Sequence, residues 1–240
     1  MPPARTSRMA WLKIYWVPGR LAWSVRNHGL LATFRRGFRR AAEARRERNL
    51  GIRTAGSIDA MTLKSGTECF GYQPIPYAAI EAALKSVQPS TNDVFVDLGC
   101  GMGRAVVLAG VGSFRRVIGV EISPELCIVA RQNVAHVRRR LRTSAVDIVQ
   151  ADACDYSLPD DATVLLLFNP FDEPVVRRVL DNVRKSLERT PRTLTIIYAT
   201  PRSRHDVLAD VPWLRLHESL RITDEEWLRL GIYRSTKDVP

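Results

Sequence analysis

The segment Val94-Phe95-Val96-Asp97-Leu98-Gly99-Cys100-Gly101-Met102-Gly103-Arg104 carries the strongest indication of fold in this chain. An apolar run ends at an aspartate, three glycines alternate with single residues, and an apolar pattern of helical period follows. A strand that passes through such a turn into a helix is typical of a nucleotide-binding corner. Glycine allows positive φ there and lets a ligand approach the backbone closely.

The glycine spacing and the position of Asp97 distinguish two classes of ligand. Dinucleotide-binding folds place G-x-G-x-x-G against a pyrophosphate at a helix N-terminus. This chain has G-x-G-x-G, and Asp97 stands two residues before the first glycine. A carboxylate repels a pyrophosphate but attracts a ligand that carries an ammonium and a sulfonium. S-adenosylmethionine is such a ligand and has no phosphate, so we predict it as the cofactor in preference to NAD.

The composition predicts one α/β core in a cytosolic protein. A chain of 240 residues, 45% of them hydrophobic, can bury one such core. No apolar run approaches the roughly 18 residues that span a bilayer, and the arginine-rich N-terminus lacks the apolar region of a secretory signal. The four cysteines are scattered without metal-ligand spacing, so we predict reduced thiols and no metal site.

The net charge of +11 is concentrated at the N-terminus. Residues 1–50 contain twelve Lys/Arg and two acids, whereas the remaining 190 residues contain 24 basic and 23 acidic residues. The basic character therefore belongs to an arm and not to the body of the protein. We predict three parts: a basic amphipathic helical arm over residues 1–50, a linker or lid over 51–76, and the main domain over 77–240.

The arm is predicted to be helical from about Leu21 to about Arg48, with an interruption near Gly29. Its apolar residues fall on one face at helical spacing and its arginines lie opposite: Leu30, Leu31, Phe34, Phe38, Ala41 and Ala42 against Arg35, Arg36, Arg39, Arg40 and Arg46. Three readings stay open. The apolar face packs on the body as a lid, residues 9–48 contact an anionic membrane with help from upstream tryptophans, or the arginines bind nucleic acid. Nucleic acid accounts less well for the apolar face.

From Tyr77 onward, helix and strand patterns alternate without pause, which predicts a doubly wound, mostly parallel seven-stranded sheet with one antiparallel strand at its end. The predicted helices are Tyr77 to Val87, Arg104 to Val111, Pro124 to about Arg140, and Glu173 to Glu188. The predicted strands are Asp93–Leu98, Arg116–Ile122, Ala145–Ala151, Thr163–Phe168, Leu194–Ala199, Leu214–Ile222 and Trp227–Arg234.

Groups that could bind a ligand stand at four successive strand ends. The first strand ends at Asp97 and the glycines, the second at Glu121, the third at Asp152, and the fourth at Asn169-Pro170-Phe171. In doubly wound sheets the ligand lies outside the carboxyl ends of the strands. Glu121 lies where such folds place an acid for ribose hydroxyls, and Asp152 is suited to the exocyclic amine of an adenine. Because these groups all stand at the carboxyl ends of strands, the sequence predicts that they form a single site.

Taken in order, D-x-G-x-G-x-G, V-x-G-V-E-x-S-P, A-D-A and an apolar strand closing on N-P-F resemble the class I S-adenosylmethionine-dependent methyltransferases. Upstream, Tyr72-Gln73-Pro74-Ile75-Pro76-Tyr77 is similar to the Y-x-P-T-P element of two lysine-methyltransferase groups, with Ile75 in place of threonine. The resemblance implies that Asp97, Gly99, Gly101 and Gly103 hold the methionine part, Glu121 the ribose and Asp152 the adenine. Tyr72 is a further candidate to line the pocket.

The acceptor is inferred from Asn169-Pro170-Phe171, which is similar to the N-P-P-[YF] tetrapeptide of methyltransferases acting on amino groups but is one proline short. An amide oxygen and a backbone carbonyl can direct the lone pair of an amine at a methyl group, and Phe171 can attract a cation. A simple turn is the alternative reading. We therefore predict methyl transfer to a nitrogen, of a protein lysine or a small amine. Two rivals stay open: a non-catalytic binding protein acting through its arm, and an NAD-dependent oxidoreductase.

Overall fold

The structure, a computed structural model, describes residues 18–56, 72–143, 145–168, 171–223 and 225–236, without the side chains of 18–28, 31–33 and 35–36. Within these ranges the chain forms five α-helices: α1 (Pro18–Leu50), α2 (Tyr77–Val87), α3 (Arg104–Val111), α4 (Pro124–Val137) and α5 (Glu173–Arg189). It also forms seven strands: β1 (Val94–Leu98), β2 (Arg116–Glu121), β3 (Val146–Gln150), β4 (Val164–Phe168), β5 (Thr195–Pro201), β6 (Leu214–Leu220) and β7 (Leu228–Ser235).

The seven strands form one sheet in the order β3-β2-β1-β4-β5-β7-β6. Strands β1 to β5 pair in parallel, and β7 lies antiparallel between β5 and β6. The predicted fold class is confirmed: the sheet is doubly wound and its last strand is antiparallel. The chain order reverses between β1 and β4, so the carboxyl end of β1 lies at the switch point where such sheets bind ligands.

The element bounds follow from local sequence signals. Each strand lies within two residues of its predicted bounds, because runs such as Val94–Leu98 are buried throughout and flanked by turn residues. Helix α4 begins as predicted: the Ser123 side chain accepts a hydrogen bond from the Leu126 N–H, and Pro124 occupies the first helical position. Helix α1 is interrupted at Gly29, whose φ is 81°.

The core consists of two clusters of buried apolar side chains on opposite faces of the sheet. Val94, Val96 and Leu98 belong to one cluster and Phe95 to the other, which is the alternation that a period of two produces along a strand. Because β1 is covered on both faces, the loop that follows it starts from a rigid position.

The chain divides into two compact units, residues 1–42 and 43–240. The division falls inside α1, so the last two turns of this helix, from Glu43 to Leu50, belong to the second unit. The predicted bounds at residues 50 and 76 stay predictions, and much of the 51–76 segment lies outside the described residues. In the described part of the chain, no helix has an apolar stretch long enough to cross a membrane.

Candidate functional site

The glycine-rich turn after β1 has the backbone conformation that its sequence predicts. Gly99, Gly101 and Gly103 have φ values of 81°, 54° and 80°, in the left-handed region that favours glycine. The N–H groups of Gly99 and Cys100 donate to the Val120 carbonyl at 2.8 and 2.9 Å, which ties the turn to β2. The turn ends at Gly103, directly before the first residue of α3.

Asp97 lies near the carboxyl end of β1 and is 4% exposed. Within the described parts of the chain, no group donates a hydrogen bond to its carboxylate. Burial, with a smaller contribution from the nearby Glu121, raises the pKa of Asp97 to about 8. A buried carboxylate without a donor is costly, so this position favours a ligand that brings a positive charge or an N–H donor.

Glu121, the last residue of β2, faces the same turn. Its Oε2 accepts from the Gly101 N–H and its Oε1 from the Ser123 N–H, each at 2.9 Å. Burial raises the pKa of Glu121, and these backbone hydrogen bonds oppose that shift. Each carboxylate oxygen has a further acceptor position, so Glu121 can still accept from ligand hydroxyls while it holds the turn.

The ring of Tyr72 lies against Gly101. A Cβ built on Gly101 would stand 2.3 Å from Cε2 of this ring, so only glycine fits beneath it. The Tyr72 hydroxyl donates to the Thr54 carbonyl at 2.7 Å, and burial raises the pKa of this hydroxyl. The structure thus brings Tyr72 to the turn, where the sequence had made it a candidate for the pocket.

The remaining predicted residues lie at the ends of β3 and β4. Asp152 follows β3 by two residues, and its Oδ1 accepts from the Cys154 N–H at 2.8 Å, which leaves Oδ2 for a ligand. Asn169 and Pro170 lie outside the described residues. Phe171 is half-buried and packs against the core cluster that contains Val96 and Leu98.

A cavity of about 240 Å³ opens beside Phe171, where the chain leaves β4 and β5. Two aromatic rings and charged groups of both signs line it: Phe171, Asp172, Glu173, Val176, Tyr198, Arg204, His205 and Val207. Glu173 pairs with Arg177 at 2.7 Å, whereas Asp172 has no such partner among the described residues. The sequence named only Phe171 of this set, because no motif marks the others, which come from α5, β5 and the segments beside them.

A second feature missed by the sequence analysis is Arg104, which directly follows the last glycine and is 2% exposed. Its guanidinium lies within 3.5 Å of carboxylate oxygens of Glu43 and Glu47. These are the two acids of the first fifty residues. Their spacing of four along a helix and an arginine inside the glycine motif were the available signals.

The site fits a cationic, phosphate-free ligand. Its acids, Asp97 and Glu121, lie together beside a turn that only glycine can form, and Asp97 has no donor from the described chain. Two buried carboxylates would repel a pyrophosphate. S-adenosylmethionine, with its ammonium, sulfonium, ribose hydroxyls and adenine amine, matches these acceptors.

Comparison with known families gives one matching profile, described as a methyltransferase domain, over residues 95–190. A protein-lysine N-methyltransferase of Saccharolobus islandicus (strain REY15A) is 29% identical over 98 residues, which are 40% of this chain and 58% of that protein. The chain thus spans somewhat more than half the length of this curated relative.

Among solved structures, an RNA methyltransferase from Salinibacter ruber in complex with S-adenosyl-L-homocysteine has a TM-score of 0.53 and 22% identity, covering 70% of this chain and 97% of that one. A TehB-like methyltransferase from Corynebacterium glutamicum ATCC 13032 Kitasato has a TM-score of 0.50 and 16% identity, covering 82% and 97%. At these identities the likeness concerns the fold.

Proposed function

We propose that this chain is a class I S-adenosylmethionine-dependent methyltransferase that transfers the methyl group to an amino nitrogen, with a protein lysine as the acceptor. The observation that carries the cofactor assignment is the buried carboxylate of Asp97 beside the glycine turn, to which none of the described residues donates a hydrogen bond. The acceptor assignment is supported by the lysine-specific relative and by the cavity beside Phe171.

The proposed cofactor contacts follow from the acceptors described above. Asp97 would bind the ammonium of the methionine part, Glu121 the ribose hydroxyls and Asp152 the adenine amine. Gly99, Gly101 and Gly103 would let the ligand approach the backbone, with Tyr72 over the turn. When bound, S-adenosylmethionine supplies a methyl group on a sulfonium that leaves as a neutral thioether.

The acceptor cavity suits an amine for two reasons. The rings of Phe171 and Tyr198 attract a cation through their faces, and Asp172 offers a carboxylate beside them. A lysine must lose its proton before it can attack. The lining residues would orient the amine, which is a main requirement for an in-line displacement with a good leaving group.

The acceptor class is tested by incubating the purified protein with methyl-labelled S-adenosylmethionine and a cell lysate. We expect label in the protein fraction, recovered as methyl-lysine after hydrolysis. Label in RNA or in small molecules alone would contradict the lysine assignment. Absence of any transfer, together with retained cofactor binding, would favour the non-catalytic alternative.

Asn169→Ala is expected to reduce kcat about tenfold to a hundredfold while the KM for S-adenosylmethionine changes little. The residue is proposed to hold an N–H of the acceptor, and loss of one orienting hydrogen bond costs on the order of 1–3 kcal/mol. Initial rates at varied cofactor concentration separate the two constants. An unchanged kcat would support the simple turn reading of Asn169-Pro170-Phe171.

We further propose that the arm contacts an anionic membrane surface. Leu30, Phe34 and Phe38, spaced by four, are 63%, 64% and 73% exposed. Exposed large apolar side chains on a helix with many arginines are typical of interfacial helices, because the apolar side enters the lipid surface and the arginines attract anionic headgroups.

The full chain is therefore expected to co-sediment with vesicles of anionic lipid and not with vesicles of neutral lipid. A chain lacking residues 1–42 should stay in the supernatant with both. The triple change of Leu30, Phe34 and Phe38 to serine should also abolish pelleting, although all arginines remain. Equal behaviour of the full and shortened chains would exclude this role, and binding of RNA by the full chain alone would favour nucleic acid.

A further inference from the structure

We propose that Arg104, Glu47 and Thr54 are positioning residues of the cofactor site, which act by holding Tyr72 over Gly101. The segment that carries this role, residues 47–54, is called the strap. The inference rests on the proposed function, because it assigns the strap to the S-adenosylmethionine site.

The guanidinium of Arg104 has an acceptor at each of its three nitrogens. Its Nε donates to Thr54 Oγ1 at 2.7 Å, its Nη1 to the Ile75 carbonyl at 2.9 Å, and its Nη2 to Glu47 Oε1 at 3.1 Å. The guanidinium carbon lies 4.3 Å from the centre of the Tyr77 ring, within the range of a cation–π contact. The side chain of Arg104 therefore contacts both the strap and two residues shortly after Tyr72, Ile75 and Tyr77.

Thr54 is bound to Glu47 through both of its donors. The backbone N–H and the hydroxyl of Thr54 both donate to Glu47 Oε1, at 2.9 and 2.5 Å. Thr54 is fully buried, and its carbonyl accepts the Tyr72 hydroxyl at 2.7 Å. A chain of four contacts thus runs from Arg104 through Glu47 and Thr54 to the ring that covers Gly101.

The strap is also bound to the glycine turn from its other side. The side chain of Asn133, which is 3% exposed, accepts from the Arg53 N–H and donates to the Arg53 and Met102 carbonyls, each at 2.9 Å. Ile52 packs in a small apolar cluster with Val107 and Val137. Met102 lies between two glycines of the turn, so the side chain of Asn133 holds the strap and the turn together.

The positive charge of the buried Arg104 side chain requires these contacts, in addition to any packing that they provide. A buried arginine needs anionic partners because the cost of removing its charge from water is large, and Glu43 and Glu47 supply them from the last two turns of α1. Arg104 begins α3, directly after Gly103. Its forked donors therefore fix the strap, and through it the Tyr72 ring, relative to the turn that meets the ligand. An apolar pair at the same places could fill the volume but could not fix this register.

The test measures cofactor binding separately from stability. S-adenosylhomocysteine is titrated calorimetrically into the full chain and its Tyr72→Phe, Thr54→Val and Glu47→Gln variants, and the Tm of each is measured without ligand. Tyr72→Phe keeps the ring but loses the hydrogen bond to Thr54, so its Kd is expected to rise about five- to tenfold, and its Tm to fall by about a few degrees because the buried Thr54 carbonyl loses this donor. Glu47→Gln should raise the Kd at least as much and also lower the Tm. Glu188→Gln, at a surface ion pair of α5, is the matched control and should change neither.

A double-mutant cycle distinguishes positioning from a structural role. Because Glu47 and Tyr72 belong to one chain of contacts, the Kd of the double variant is expected to be close to that of Glu47→Gln alone. In steady-state assays, the KM for S-adenosylmethionine should rise more than kcat falls. Rises in Kd that multiply, or a lowered Tm with an unchanged Kd, would overturn the inference.

The same titrations distinguish failure of the proposed function from failure of this inference. If the unmodified chain does not bind S-adenosylhomocysteine, the cofactor assignment is wrong and the inference falls with it. If the unmodified chain binds and the variants bind equally well, the inference alone is wrong.

Discussion

Asp97→Asn is expected to raise the thermal stability of the free protein and at the same time to abolish most of its cofactor binding. The carboxyl group is 4% exposed and accepts no hydrogen bond from the described residues, and burial raises its pKa to about 8. Its ionised form therefore opposes folding. Asparagine has nearly the same shape and no charge, so the substitution removes this cost.

The sign of the pH dependence follows from the raised pKa. An unfolded aspartate titrates near pH 3.9, so between about pH 4 and pH 8 the folded protein retains a proton that the unfolded chain has released. The free energy of unfolding therefore falls as the pH rises through this window. The variant lacks this contribution, and its advantage in Tm should be greatest near pH 8. A change of 1 kcal/mol corresponds to about 2–4 °C for a chain of this size.

Cofactor affinity is expected to have the opposite dependence. The ammonium of S-adenosylmethionine is attracted to the ionised carboxylate, so binding by the natural chain should strengthen from about pH 6 to about pH 7, where an α-amino group is still mostly protonated. The variant should bind about tenfold to a hundredfold more weakly, the loss expected for a hydrogen bond between charged groups. It should also show no strengthening over this window.

The control is Asp93→Asn, which changes the residue immediately before β1. Burial raises the pKa of Asp93, but hydrogen bonds from Ser90 and Thr163 outweigh it, so the pKa lies below its ordinary value. Its ionised form stabilises the fold, and the variant should have a lower Tm above about pH 4 with cofactor binding intact. Melting curves with and without S-adenosylhomocysteine measure both variants. A ligand-induced rise in Tm that survives in Asp97→Asn would contradict the site assignment.

The fold was predictable because its signals are local. Buried strands such as Val164–Phe168 are uninterrupted apolar runs, Ser123 and Pro124 mark the start of helix α4, and helices and strands alternate from α2 to β3. The arrangement of Asp97, the glycines and Glu121 was predictable for the same reason, since each stands at the end of a strand that the sequence identifies.

The strap contacts were not predictable, since they join residues far apart in the chain. Arg104 and Glu47 are 57 positions apart, and a charge count over residues 1–50 treats Glu43 and Glu47 as a small correction to a basic arm. The place of Arg104 in the glycine motif and the spacing of Glu43 and Glu47 are local signals, but neither shows that these side chains meet. The cavity beside Phe171 was missed for a similar reason, because Tyr198 and His205 come from β5 and the loop after it, where no motif marks them.

A second prediction concerns the residue at which the folded domain begins. A chain that starts at Glu43 is expected to fold and bind S-adenosylhomocysteine with a Kd close to that of the full chain, because it retains the whole second unit. A chain that starts at Gly51 follows the boundary that charge alone predicts, and it lacks Glu43 and Glu47. Arg104 then stays buried without a carboxylate, and removing one partner of a buried ion pair costs about 3–5 kcal/mol.

That loss is a large part of the roughly 5–15 kcal/mol that stabilises a typical domain, so the shorter chain should have a much lower Tm or fail to fold. Arg104→Met in the shorter chain provides the decisive control. It replaces the stranded charge with an apolar side chain and should recover much of the Tm. Cofactor affinity should stay weak, because Glu47 no longer holds Thr54 and Tyr72. Equal Tm values for the chains starting at Glu43 and Gly51 would show that these two acids do not stabilise Arg104. Full recovery of the Kd by Arg104→Met would show that the ring of Tyr72 takes its position over Gly101 without Glu43 and Glu47.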